Sequence, residues 1–402
     1  MSPEIGVLRP VPRLDTGVRV LLYGGFVLTG AVTTLLGPAL PILSSYWSLS
    51  DGQAGRLFAV QFAGATLAAS FTCWLLPKLG YRVVLSAGYL LMAVGIGGLG
   101  VFGKFFGALA VFGYGIGQGV TIPASNLLIS DWNPQRRASA LNLLNLAWGL
   151  GAVACPFFVA SANHNGNLTG WLLGLAGVLG VGALGGGMLP STPHQPGQQG
   201  PTESWSTDRR AFAFILGLLF FLYVGTETAL GGWVASHAKR TETSSTNIWM
   251  FAPALFWGLL LLGRALAPLF LRLITERKLI FLDLALASSG VVTLLTARSG
   301  IGVAVGSAIA GLGLSSVFPI NIALMSSLGS LASRAAGPIF AVAGVGGAVL
   351  PWLVGSVAAR SGSLRVALAV PLVAVLLMLA LQGWDPTRLE EEMKPSLARN
   401  RP

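Results

Sequence analysis

Charge is what this sequence has least of. Of its 402 residues only 10% are Asp, Glu, Lys or Arg, while 53% are hydrophobic and the mean hydropathy is +0.73. A soluble domain carries about 25% charged residues, so this chain cannot clothe a water-facing surface, and a soluble globular fold is excluded. Cysteine is nearly absent. Cys73 and Cys155 both fall in apolar runs, which excludes a disulfide framework and reads as two small buried hydrophobes. The three histidines, His164, His194 and His237, read as loop residues far apart in the chain, so neither a metal cluster nor a histidine-based catalytic site is expected. The first 18 residues hold Pro3, Pro10 and Pro12 and lack the apolar stretch of a cleavable signal. Glycine, by contrast, is abundant at 54 residues. It shows no three-residue period, which excludes collagen, and small residues are what let helices approach closely inside a bilayer.

The apolar residues come in runs long enough to cross a membrane, which takes about 20 residues per helix. Six runs cover 19–46, 53–76, 83–103, 105–129, 139–162 and 168–189, and six more cover 211–235, 247–272, 279–297, 300–326, 334–358 and 364–384. The chain therefore reads as an all-α integral membrane protein of twelve transmembrane helices in two six-helix halves, 19–189 and 211–384. Residues 190–210, which include Ser191-Thr192-Pro193-His194-Gln195-Pro196-Gly197, have no apolar period and read as a linker, with tails at 1–18 and 385–402.

A net charge of +11 would suggest nucleic acid in a soluble protein, but its placement gives another meaning. With both termini cytoplasmic, the inside segments hold 17 of the 25 basic residues and the outside segments seven, leaving Arg264 near the inner end of the eighth span. Basic residues mark cytoplasmic loops, so both tails and the linker are expected inside, and no nucleic-acid partner is expected. The halves also repeat each other at an offset near 195 residues. Gly115-Ile116-Gly117 through Pro123 matches Gly311-Leu312-Gly313 through Pro319, and Gly149-Leu150-Gly151 through Pro156 matches Gly344-Val345-Gly346 through Pro351. Gly30 and Gly37 match Gly225 and Gly232. Two parallel halves facing each other across a cavity is the architecture of alternating access.

Twelve spans in two repeated halves, with a basic loop after span 2 (Pro77-Lys78-Leu79-Gly80-Tyr81-Arg82) and its counterpart after span 8 (Gly263-Arg264 to Arg272, Glu276-Arg277-Lys278), resemble the major facilitator superfamily over the whole chain. The acidic residue which that family places before the loop glycine is absent in both halves. Arg264 and Asp283, with Lys78 and Arg82, are the candidate cytoplasmic gate in its place. Tyr223-Val224-Gly225-Thr226-Glu227-Thr228-Ala229-Leu230-Gly231-Gly232-Trp233 resembles the seventh span of fucose-permease-like and sodium-dependent-glucose-transporter-like sugar symporters. Gly117-Gln118 to Pro123 is a weaker match, with Gln118 where fucose permeases carry a glutamate. The resemblance implies a monomeric symporter of a sugar or similar small polar solute in a bacterial inner membrane. No cofactor is implied beyond the coupling ion, H+ or Na+.

Of the 14 acidic residues, 12 fall in loops or tails and Asp283 lies within about a turn of a span end, leaving Glu227 as the one deep carboxylate. An ionised carboxylate at mid-bilayer costs at least about 2.5 kcal/mol, so Glu227 is expected to have a partner or a task, and coupling to a proton is the task it suits. Structural glue between helices is the alternative. With Thr226, Thr228 and unwound carbonyls near Gly231-Gly232 it could instead form a sodium site. The amides inside spans are Gln61, Gln118, Asn126, Asn142, Asn145 and Asn321. Amides donate and accept in a fixed plane, as sugar hydroxyls require. Asn142, Asn145 and Gly149 recur at helical spacing, so with Gln61 and Gln118 they are expected to wall the cavity; interhelical amide bonding is the alternative. Asn126 and Asn321 fit the latter. Trp148, Trp233 and Trp257 are candidate platforms for the apolar face of a pyranose.

Three function classes remain in view. A cation-coupled importer is the first. The second is an exporter of amphiphilic compounds, whose fifth span commonly carries Gly-Pro followed by paired glycines, whereas this chain has Cys155-Pro156-Phe157-Phe158. The third is a membrane sensor or intramembrane enzyme, and no buried nucleophile with a base supports an enzyme.

Overall fold

A computed structural model describes residues 16–189, 207–242, 248–326, 328 and 331–383, so most of the N-terminal tail, the C-terminal tail and most of the linker, His194 included, lie outside the described residues. The described residues form helices and no strand. Eleven helices are long and apolar enough to cross a membrane. The longest, Asp51–Val101, holds 51 residues and two crossings, because its backbone turns at Gly80 (φ 74°, ψ 166°), a conformation that side-chain-bearing residues rarely adopt. The crossings are therefore twelve.

Span 1 is Thr16–Thr34 with Leu36–Tyr46, and spans 2 and 3 are the two arms of Asp51–Val101. Spans 4, 5 and 6 are Lys104–Trp132, Arg137–His164 and Leu168–Gly185. Span 7 is Thr207–Thr241, span 8 Ala252–Phe270 and span 9 Glu276–Thr296. Span 10 is Gly300–Leu314 with Val317–Ser326, span 11 Ala332–Ser361, and span 12 Leu364–Ala367 with Ala369–Gly383. Polar caps start several of them. Ser50 Oγ accepts from the Gln53 amide at 3.4 Å while Gln53 Oε1 accepts from the Ser50 amide at 3.1 Å, a capping box that opens span 2.

The sequence repeat is a repeat of helix crossings. A methyl group at Gly115 would strike the Gln61 carbonyl of span 2, and one at Gly311 would strike the Phe256 carbonyl of span 8. In the same way Gly151 lies on the Val27 carbonyl and Gly346 on the Phe221 carbonyl. These four glycines mark places where one backbone rests on another, which is why they recur at the same offset.

The two halves meet at the end of the bundle opposite Thr16 and Gly383, the first and last described residues. There Gly37 of span 1 abuts the Gly231 carbonyl of span 7, and Gly55 of span 2 faces Gly355 of span 11. Phe58 packs on Trp233 across the halves at 6.1 Å between ring centroids. An Asp51–Arg240 ion pair, with Arg240 Nη1 donating to Asp51 Oδ2 at 2.9 Å, closes the rim.

Two sequence expectations are corrected here. Cys155 is buried but Cys73 is exposed, so only one thiol is packed as a core residue. His237 lies inside span 7 rather than in a loop, buried, with Nε2 2.9 Å from the Leu294 carbonyl oxygen.

Candidate functional site

Span 7 carries Phe220, Tyr223 and Glu227 at helical spacing, so one stripe of an otherwise apolar helix ends in a carboxylate near mid-span. Arg264 of span 8 reaches it. Its Nη2 donates to Glu227 Oε1 at 3.0 Å and to the Tyr223 hydroxyl oxygen at 2.9 Å. The Tyr223 hydroxyl in turn donates to Glu227 Oε1 at 3.0 Å, which closes a triangle of one anion, one cation and one phenol. Phe318 of span 10 borders it, 5.6 Å from the Tyr223 ring and 5.8 Å from the Arg264 guanidinium carbon. The side chains of Arg264 and Glu227 are 26% and 14% exposed, so the pair keeps a route to solvent. A buried ion pair is strongly destabilised when one partner is removed, and protonating the carboxylate is one way of removing it. The chemistry available is thus a proton-controlled release of Arg264.

The gate expected from Arg264, Asp283, Lys78 and Arg82 is not built that way. Arg264 pairs with Glu227 rather than with Asp283. Asp283 sits about two turns inside span 9, buried, and its Oδ2 accepts from the Ser316 amide at 3.1 Å. Lys78 Nζ lies 3.3 Å from the centroid of the Trp74 ring one turn away, and Arg82 donates to the Gly187 carbonyl at the end of span 6. Both contacts stay within the first half.

Nor do the four amides share one wall. Gln61 and Gln118 are 1% and 2% exposed. Gln61 Nε2 donates to the Thr33 carbonyl at 3.1 Å and to Gln118 Oε1 at 3.2 Å, while Gln61 Oε1 accepts from Tyr114 Oη at 3.2 Å. Gln118 Nε2 is buried with no hydrogen-bond partner among the described residues. Asn142 and Asn145 are instead exposed, on the stripe whose Gly149 meets Leu261 of span 8. Trp148 and Trp257 join spans 5 and 8 edge to face at 5.7 Å, and the Trp257 Nε1 is buried with no partner among the described residues. Trp233 is fully buried and donates to the Pro351 carbonyl at 2.9 Å, so it packs the closed end and offers no platform. Asn126 Nδ2 donates within its own helix to the Ile122 carbonyl at 2.9 Å, and Asn321 Oδ1 accepts from Gln382 Nε2 of span 12 at 3.2 Å, an interhelical amide bond. An apolar groove of about 580 Å³ runs along the seam of spans 5 and 8, lined by residues such as Leu150, Phe157 and Leu261, and suits hydrocarbon rather than a polar solute.

Among the described residues no group of three or more His, Cys, Asp or Glu could hold a metal ion. The sodium ligands drawn from unwound carbonyls near Gly231-Gly232 are also missing, because span 7 is continuous helix there.

The family model of the Major Facilitator Superfamily matches residues 22–351. The chain belongs to this superfamily. It is a multi-pass integral membrane protein of a transporter family, not an enzyme. It is 26% identical over 382 residues to the glucose/galactose transporter of Brucella abortus, covering 87% of this chain and 89% of that one. To the TsgA homolog of Erwinia tasmaniensis it is 23% identical over 290 residues, covering 68% and 70%. Its fold matches the outward-conformation crystal structure of the transporter FucP with a TM-score of 0.62 at 17% identity, covering 91% of this chain and 97% of the other.

Proposed function

We propose that the protein is a secondary transporter that imports a sugar or a similar small polar solute with a cation by alternating access, the cation being a proton rather than sodium. Glu227 is the coupling carboxylate. The observation that carries this reading is the Glu227–Arg264–Tyr223 triangle, an ion pair that a single proton can open. The sugar comes from the Brucella abortus relative, named a glucose/galactose transporter. The contacts joining the halves at one end fit one of the two states that alternating access requires. An arginine hydrogen-bonded to the carboxylate disfavours a second cation there, which supports the proton over sodium. Purified protein in liposomes should accumulate labelled glucose or galactose when a pH gradient is imposed. Accumulation driven by a sodium gradient alone would overturn the proton reading.

The transporter acts as a monomer in a bacterial inner membrane with both termini in the cytoplasm, which the 17 to seven split of basic residues supports. In a C73S/C155S background, Ser204→Cys should resist an impermeant thiol reagent in intact cells while Asn165→Cys reacts. Equal labelling of the two would overturn the topology.

Asn142 and Asn145 bind the solute from the open side of the cleft, with Trp148 and Trp257 as the floor above them. Because both amides are exposed, Asn142→Leu or Asn145→Leu should leave stability within about 0.5 kcal/mol of wild type. Loss of one hydrogen bond of about 1 kcal/mol should weaken solute binding on the order of fivefold by calorimetry. Unchanged binding in both variants would place the site elsewhere.

A further inference from the structure

The break in span 10 is satisfied by two charged side chains from two other helices. Pro319 has no amide hydrogen, so the carbonyl four residues earlier, that of Ser315, loses its helical donor. Arg264 supplies a replacement, its Nε donating to the Ser315 oxygen at 3.3 Å. The Ser316 amide is the second orphan. Its helical acceptor, the Leu312 carbonyl, already takes the Ser315 amide at 3.2 Å, and Ser316 donates instead to Asp283 Oδ2 at 3.1 Å. Spans 8 and 9 thus each hold one side of the break.

The first half carries the matching proline, Pro123, inside a continuous helix, and meets its lost hydrogen bond with a different chemistry. The carbonyl four residues before Pro123 is that of Gly119, and it accepts from Thr72 Oγ1 of span 2 at 3.2 Å. A neutral hydroxyl of span 2 does there what the guanidinium of span 8 does in the second half. Only the second is tied to an acid, since the same Arg264 holds Glu227 Oε1 at 3.0 Å. One side chain therefore joins the carboxylate to the backbone of a hinge.

We infer that Arg264 transmits the state of Glu227 to the bend of span 10, and that Asp283 is the positioning residue that fixes the other side of that hinge. A proton taken from solution onto Glu227 neutralises the anion that holds Arg264 Nη2, and the guanidinium then resets its hold on the Ser315 carbonyl. With Ser316 anchored to Asp283, the change is a bend rather than a loosening. The titratable groups meeting Glu227 are Tyr223 of its own helix and Arg264 of span 8; Asp283 of span 9 stands across the break. This inference rests on the reading of Glu227 as the coupling carboxylate.

The test is a spin-label distance between Ala323→Cys on span 10 and Glu276→Cys at the start of span 9, both exposed positions, in the full chain with Cys73→Ser. Glu227→Gln, which mimics the protonated state, should shift the mean distance on the order of 2 Å, and lowering the pH should move the wild type the same way. Asp283→Ala should erase the shift, whereas Asp283→Asn, whose side-chain oxygen can still accept from Ser316, should keep it. Arg264→Lys, which can pair with Glu227 but lacks the forked donors, should erase it too and serves if Asp283→Ala does not fold. Thr72→Val at the matching proline of the first half should leave it unchanged. A merely structural Asp283 would alter stability but not this dependence on Glu227. If Glu227→Gln loses concentrative uptake without moving the distance, the hinge inference is wrong and the coupling reading stands. If Glu227→Gln still concentrates solute, the coupling reading fails, and the hinge inference with it.

Discussion

Glu227→Gln is expected to abolish concentrative uptake while leaving solute exchange across the membrane intact. Glutamine keeps an acceptor oxygen where Arg264 Nη2 and the Tyr223 hydroxyl now donate, at 3.0 Å each, but not the charge that holds the guanidinium, so the variant stands for the protonated carrier. What disappears is the site for the proton. A gradient of one pH unit is worth about 1.4 kcal/mol per proton, or about tenfold accumulation at one proton per solute. The variant should fall from that ratio to about one in liposomes, and its uptake should no longer respond to external pH. Counterflow of labelled against unlabelled glucose should continue, because exchange needs binding and reorientation but no net proton movement. Persistent accumulation in the variant would make the carboxylate structural. Uptake indifferent to pH and abolished by removing sodium would make it a sodium ligand.

How much of this was legible depends on whether a residue's importance lies in its type or in its orientation. Glu227 stood out from sequence because a carboxylate within an apolar run has few innocent explanations. Arg264 was visible as the one basic residue assigned to neither side, but its pairing with Glu227 requires the relative rotation of two helices, which no periodicity supplies. The signal that points to it is arithmetic: one deep acid and one unassigned base. Tyr223, one helical turn before Glu227, was readable in the same way. Asp283 was misplaced by a boundary, since span 9 begins at Glu276 rather than 279 and so carries the residue further in. The amides show the deeper limit. In a soluble helix the polar side faces water, but lipid is as apolar as a protein interior, so Gln61 buried beside Gln118 and Asn142 exposed in span 5 look alike in sequence. Pro319 announced a break, while the donor and acceptor that satisfy it come from spans 8 and 9 and belong to tertiary structure alone.

Arg264→Leu is expected to destabilise the protein more than any change at the exposed amides, and the loss should grow as pH rises. Removing the guanidinium leaves Glu227 with Tyr223 as its hydrogen-bonding neighbour, in a side chain only 14% exposed. An uncompensated buried charge costs about 3–5 kcal/mol, but a carboxylate can avoid that cost by taking up a proton. At low pH the proton is available, and the remaining penalty is the orphaned Ser315 carbonyl, a neutral group worth about 1–3 kcal/mol. At high pH the carboxylate must ionise without its partner, and the full penalty returns. The apparent melting temperature of Arg264→Leu, read against that of the wild type, should therefore fall further at alkaline than at acid pH. The double variant Glu227→Leu/Arg264→Leu carries neither charge, so it should recover the pH-dependent part of the stability and keep only the Ser315 deficit. It should still fail to concentrate solute, because restoring the fold does not restore the proton site. A destabilisation that is the same at every pH would show that Glu227 does not depend on Arg264, and that the arginine serves the span 10 carbonyl alone.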